Sequence, residues 1–361
     1  MANIENSLNI LKNATAENDI IIKLTENVNT TETYTIVGNV DISADSPVTI
    51  TNTATDVFTV VEGGKLTLGE NITIESNTSV LYANGGDIVI DGTTINVTDS
   101  QYDAAFVDAG CITVENGSIN QSGSNNVTIS ADGVNAKVVI NGGEVTSANS
   151  STIASKNNAN IIINGGVVKT TCEEPTYCAV YSHSNGVITM NDGEVSAVAG
   201  YGLIAANAGK VKMTGGIVNG GVKSHESSDA TVEIYGGTVN GDVSALAGAT
   251  LVVTGGNFNV DVSAYMDETS EVVYDEATGT YTIIADNKFK VVATTGEKIN
   301  NLPVKNGQLI FVRDTKQIAF DFKGTRVVYD HSDELSDVYS KIAAVEEKLV
   351  EVDAGYGIVE F

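Results

Sequence analysis

Apolar and polar residues alternate in short bursts along most of the chain, and each burst stops at a glycine. Gly85-Gly86-Asp-Ile-Val-Ile-Asp-Gly92-Thr-Thr-Ile is followed by Gly110-Cys-Ile-Thr-Val-Glu-Asn-Gly117-Ser-Ile. The phrase returns as Val138-Val-Ile-Asn-Gly142-Gly143-Glu-Val, Ile161-Ile-Ile-Asn-Gly165-Gly166-Val-Val and Gly186-Val-Ile-Thr-Met-Asn-Asp-Gly193-Glu-Val. Three more copies are Gly209-Lys-Val-Lys-Met-Thr-Gly215-Gly216-Ile-Val, Val232-Glu-Ile-Tyr-Gly236-Gly237-Thr-Val and Leu251-Val-Val-Thr-Gly255-Gly256-Asn-Phe. A period of two is the signature of a strand with one side chain in and the next out. The glycine supplies a corner that a Cβ would obstruct. A third short run precedes each unit, among them Val80-Leu-Tyr, Val127-Thr-Ile, Ala179-Val-Tyr and Val243-Ser-Ala.

Three strands and three corners per unit predict an all-β chain, a parallel, right-handed β-helix solenoid of about nine or ten coils over residues 18–265. The turn glycines recur every 19–27 residues or so, a solenoid period. A lone coil would leave its ladder hydrogen bonds unmade on both edges, so the coils must stack. Asn141, Asn164 and Asn191 fall at equivalent corners. Two readings stand there: amides stacked along the axis, or residues that merely suit a turn.

The ends differ in texture. Residues 1–17 read as an amphipathic helix with Ile4, Leu8 and Leu11 on one face, either capping the solenoid or attaching it to a larger body. Residues 266–285 read as a closing hairpin, Glu271-Val-Val-Tyr and Tyr281-Thr-Ile-Ile around Asp275-Glu-Ala-Thr-Gly279. Residues 286–330 read as a small antiparallel meander turning at Asp314-Thr315-Lys316 and Lys323-Gly324. Residues 331–361 hold a heptad helix and tail, with Leu335, Val338, Ile342, Val345, Leu349 and Val352 at alternating three- and four-residue spacing. That stripe either packs on its own chain or joins several chains in a coiled coil. Leu or Ile at one seam position with Val at the other disfavours a dimer, so a homotrimer is expected.

Charge and composition narrow the partners. The formal net charge is -27, which argues against nucleic acid. About half of the Lys and Arg lie after Asp286, so the excess acid sits on the solenoid, where it aids solubility and resists lateral aggregation. No run approaches the roughly 18 apolar residues of a membrane span, and no membrane partner is expected. The opening residues lack a basic region and a long apolar core, so no signal peptide is expected and synthesis in a cytoplasm is. The 3 cysteines fit a reducing origin. Cys172 and Cys178 flank Glu173-Glu174-Pro175, an insertion loop that needs no bridge, and Cys111 reads as a small core residue.

Little in the sequence points to chemistry. Sugar-cleaving pairs of carboxylates, roughly 5–10 Å apart, arise by chance among 46 acids, and Trp is 0. Tyr177, Tyr181 and Tyr201 form one flank cluster and are the candidate glycan contacts. His183, His225 and His331 are scattered without the spacing of a metal site. No glycine corner leads into Lys-Ser/Thr and a helix. Neither catalytic residue, metal nor cofactor is expected.

The segment Asn301-Leu-Pro-Val-Lys-Asn-Gly-Gln-Leu-Ile-Phe-Val-Arg-Asp-Thr-Lys-Gln-Ile-Ala-Phe-Asp-Phe-Lys-Gly-Thr-Arg-Val-Val-Tyr resembles a small module of structural proteins in tailed bacteriophages. The Gly-Gly coils, ending Gly-Gly-Asn-Phe-Asn-Val-Asp-Val-Ser-Ala-Tyr265, are similar to β-helices of surface and phage proteins of gut Gram-positive bacteria. The resemblance implies a virion fibre or a capsid or tail appendage, with the solenoid as a stiff acidic spacer, other virion proteins as partners and the virion as location. Two alternatives accompany it: a host-recognition protein that binds surface glycans, and a polysaccharide-degrading, tailspike-like enzyme. The expectation is a non-enzyme.

Overall fold

A computed structural model describes Leu8, Leu11 and residues 19–53, 56–98, 101–123, 126–225, 229–267, 270–285, 290–302, 304, 308–322, 325–329 and 358–359. The chain divides into two units, Met1–Ile284 and Ala285–Phe361.

The first unit is a parallel β-solenoid of about 10 turns. Each coil contributes one strand to each of three faces. The second face runs from Ile20–Leu24 through Asn39–Ala44 and Lys65–Leu68 to Thr250–Val253. The third runs from Val28–Thr30 to Gly256–Phe258, and the first from Tyr34–Ile36 to Val243–Ala245. Strands alternate as the sequence predicts: in Asn160–Ile163, Ile161 and Ile163 are buried while Asn160 is exposed. Leu81–Val97 and Ala105–Gln121 each sweep round all three faces without a break, bending at bulges between paired residues such as Val114/Asn116.

In-register stacking turns the alternation into a core. On the second face Ile112, Val138, Ile161, Ile188, Val211, Val232 and Leu251 lie directly over one another. On the third, Ile119, Val145, Val168, Val195, Val218, Val239 and Phe258 do the same. β-Branched side chains dominate because they suit a pleated surface packed on both neighbours. The corners set how closely coils approach. Gly117 has φ 92, and a Cβ there would lie 2.2 Å from the Thr93 carbonyl oxygen in the coil before.

Both ends of the stack are covered. Leu8, in a helical turn, and Leu11 are buried in the same core as the coils. At the other end the hairpin strand Thr280–Ala285 pairs antiparallel with Gly256–Phe258, setting Tyr281 against Phe258. A parallel ladder that ends in an antiparallel hairpin offers no continuing edge of its own kind.

Among its described residues the second unit holds a five-stranded sheet, one edge of which is Ile358–Val359, antiparallel to Lys290–Thr294. Gln308–Val312, Gln317–Phe322 and Thr325–Tyr329 form the expected antiparallel meander. Lys290–Thr294 departs from it and pairs parallel with Gln308–Val312, because a short helical crossover at Ile299–Asn301 carries the chain back before the next strand. Ile299, Ile310, Val312 and Ala319 make its small core. Asp321, fully buried, is held by Arg326 in a two-pronged ion pair of 2.7 Å arms, and Arg326 also donates to the carbonyls of Ile299 and Leu302. The heptad residues Leu335, Val338, Ile342, Val345, Leu349 and Val352 lie outside the described residues, as does Ile4.

Candidate functional site

The outward rows carry whatever function the coils have, since the inward rows are taken up by the core. On the corner between second and third faces, the Asn164 amide donates to Asn141 at 2.9 Å, and Asn191 donates to Asn164 at 2.8 Å. Asn141 donates in turn to the Glu115 carboxylate, and the Thr214 hydroxyl donates to Asn191. The amide-stacking reading therefore holds. Two further ladders follow the same grammar: Asn120 on Asn96 on Glu75, and Asn240 on Asn219 on Glu194. Each begins on a carboxylate that only accepts and continues through amides that do both.

The first face carries a different row. Tyr82 and Phe106 are partners on adjacent rungs, both pointing outward, with ring centroids 5.7 Å apart and planes inclined at 48°. Tyr102 and Asp103, just before the strand Ala105–Gln121, lie on the same flank. Together with Asp56 and Ser79 they line an open cleft of about 280 Å3. Asp56 sits in the left-handed region with φ 52, a conformation Asp tolerates, and its amide donates to the Ser79 carbonyl of the next coil. Tyr102 is 57% exposed and forms the outer wall.

Burial sets the electrostatics of this cleft. Loss of water raises the Asp103 carboxyl to about 6, against the pull of the Lys156 ammonium, the Ser130 hydroxyl and the Val127 backbone. The Tyr82 phenol is also pushed up, by burial first and then by the Asp108 and Asp56 carboxylates. Among its described lining residues every polar side chain is an acid or a hydroxyl.

The three tyrosines expected to contact glycan lie along this flank, in or just before the first-face strands Val180–Ser182 and Leu203–Ala205. Tyr201 donates to Asp242 at 2.7 Å, and the Lys223 ammonium sits 5.1 Å from its ring centre. Tyr181 is half-buried, and its phenol is pushed up by burial, Cys178 and Asp103. Tyr177 stands in the insertion loop, half-buried. Leu8 and Leu11 are packed inside the solenoid, so the capping reading of the N-terminal face accounts for them and an exposed attachment face does not.

No protein-family model matches the chain, and neither a curated protein nor a solved structure does.

The cysteines are free thiols. Cys172 and Cys178 are buried and unbridged, and burial pushes the Cys178 thiol up to about 12, with a hydrogen bond to Ser151 opposing. Such a thiol is inert at neutral pH. Cys111 is not a core residue: Ile112 and Val114 take the inward sites, so alternation turns Cys111 out, where it is half-buried beside Thr113. His183 is held by Ser184 and Asn207. Among the described residues no group of three or more His, Cys, Asp or Glu side chains is arranged to hold a metal ion.

The cleft escapes sequence reasoning, although a signal exists. Tyr82 and Phe106 hold the same outward position in consecutive repeats, and Tyr102-Asp103 follows in the loop before Phe106.

Proposed function

We propose that this chain is a non-enzymatic structural component of a tailed-phage particle, a fibre or appendage segment in which the solenoid is a stiff acidic spacer. The observation that carries the reading is the in-register aliphatic stack on all three faces, which makes each coil a copy of the last and rigidity the main product of the fold. The phage resemblance of residues 301–329 supports the setting. Three chains joined through the heptad residues 335–352 complete the reading, with the right-handed winding usual for parallel crossovers.

Three measurements test it. An antibody against the solenoid should decorate phage particles in electron micrographs; label confined to a bacterial envelope would refute the virion setting. Sedimentation equilibrium of the full chain at micromolar concentration should return a trimer, and Ile342→Asp should return a monomer. A wild-type monomer removes the trimer. Release of reducing ends from host cell-wall polysaccharide would establish an enzyme instead.

A further inference from the structure

The cleft on the first face is a small ligand site by shape, and its chemistry selects the ligand. At about 280 Å3 it sits at the low end for small-molecule pockets and suits a headgroup better than an oligosaccharide. Its two inner rings are inclined at 48° on neighbouring rungs, so they make a notch and not a flat shelf for a sugar ring. Tyr102 closes a third side. Among the described lining residues there is no Asn, Gln, Arg, Lys or His, so no side chain there brings a positive charge or an amide to the ligand. What lines it instead is the aromatic residues Tyr82, Tyr102 and Phe106 and the acids Asp56 and Asp103, with the Asp108 field reaching Tyr82.

We propose that this cleft binds an organic cation, the alkylated ammonium head of a small molecule such as a trimethylammonium group, held by the rings of Tyr82, Tyr102 and Phe106 and by the carboxylates of Asp103 and Asp56. Ring faces attract a cation through their quadrupole, most strongly where water is excluded. A quaternary head needs no hydrogen-bond partner, which fits walls whose neutral polar side chains, among the described residues, are hydroxyls. The acidic solenoid raises the local concentration of any such cation. This site goes beyond the spacer reading and does not depend on it.

The pH dependence follows from Asp103. Its surroundings are Lys156, Ser130 and the Val127 backbone, with Tyr181 and the Asp56 and Asp108 carboxylates on the same flank. Its carboxyl is mostly ionised at pH 7.5 and mostly protonated at pH 5, given a value of about 6. A quaternary ammonium keeps its charge throughout, so any change in binding reports the protein.

The test is titration of the full chain with choline chloride at constant ionic strength, followed by tyrosine fluorescence and calorimetry, since Trp is 0. The expected result is saturable binding that weakens roughly tenfold from pH 7.5 to 5, on the ionised fraction of Asp103. Asp103→Asn should weaken it about as much at pH 7.5 while leaving the fold intact by circular dichroism, and Tyr102→Ala, at an exposed position, should weaken it about fivefold. The neutral tert-butyl analogue of choline should bind at least tenfold more weakly. Equal binding of that analogue overturns the proposal and leaves an apolar notch. Saturable binding of methyl glucoside without choline overturns it in favour of a sugar site, and no binding of any of the three overturns it outright.

Discussion

At the scale of single residues, the Asn ladders and Asp103 stand in opposite relations to water. Each ladder amide stays partly hydrated on the outer surface, at a corner for Asn164 and along third-face strands for Asn120 and Asn219, so its neighbours cost little to satisfy and the column gains in direction more than in strength. Asn164→Ala removes a donor to Asn141 and an acceptor for Asn191, and should cost about 1 kcal/mol in urea unfolding. Asn164→Asp should cost more, about 1–2 kcal/mol, because a carboxylate then faces the Asn141 oxygen without a proton to offer. Asp103 behaves differently. Its carboxyl is raised from 3.8 to about 6, so between those pH values the folded chain holds a proton that the unfolded chain releases. Stability therefore falls as pH rises through that window, and the loss is complete above about 6. Asp103→Asn should cancel this slope and stabilise the fold at pH 7 by about 2–3 kcal/mol. The readout is a melting temperature whose gain over wild type is larger at pH 7 than at pH 4. A flat wild-type profile across pH 4–7 would contradict it.

At the scale of elements, the alternation on a period of two makes the strands and their faces legible from the residues alone. Ile161-Ile-Ile-Asn-Gly165 carries both the inward set and the corner within five residues. Cys111 is misplaced when it is read by its apolar character alone: polar Thr113 between Ile112 and Val114 sets the phase, and Cys111 shares the outward row with Thr113. The parallel strand Lys290–Thr294 is hidden for another reason: pairing direction depends on the path of a crossover, which periodicity does not record. The cleft is hidden because its walls come from successive coils and one irregular loop, far apart in the chain. In the second unit the Asp321–Arg326 pair ties the last hairpin to the crossover carbonyls of Ile299 and Leu302. Arg326→Ala removes the two-pronged ion pair from a fully buried carboxylate and should cost about 3–5 kcal/mol. Hydrogen exchange resolved to strand amides at 308–329 would register it as accelerated exchange there. Unchanged protection would mean that Asp321 finds another partner.

At the scale of the whole molecule, charge and repetition govern behaviour. A chain carrying a formal charge of -27 repels itself in the compact state, and the repulsion is screened by salt. Its melting temperature should rise as sodium chloride is raised from about 10 mM to physiological strength, where the Debye length shortens from about 30 Å to 8 Å. A melting temperature indifferent to salt would show that the acids are spaced widely enough along the coils to ignore one another.

The matched registers have a genetic corollary. Asn160 lies under Val187, Val167 under Glu194, and the Val187 amide already donates to the carbonyl of Ala159. Excising residues 160–186 would thus join two ends that are neighbours, and bring Val187 into the berth Asn160 vacates. The shortened gene should encode a soluble product one storey lower, by about 4.8 Å, so that reach becomes a quantity that duplication and deletion adjust in whole steps.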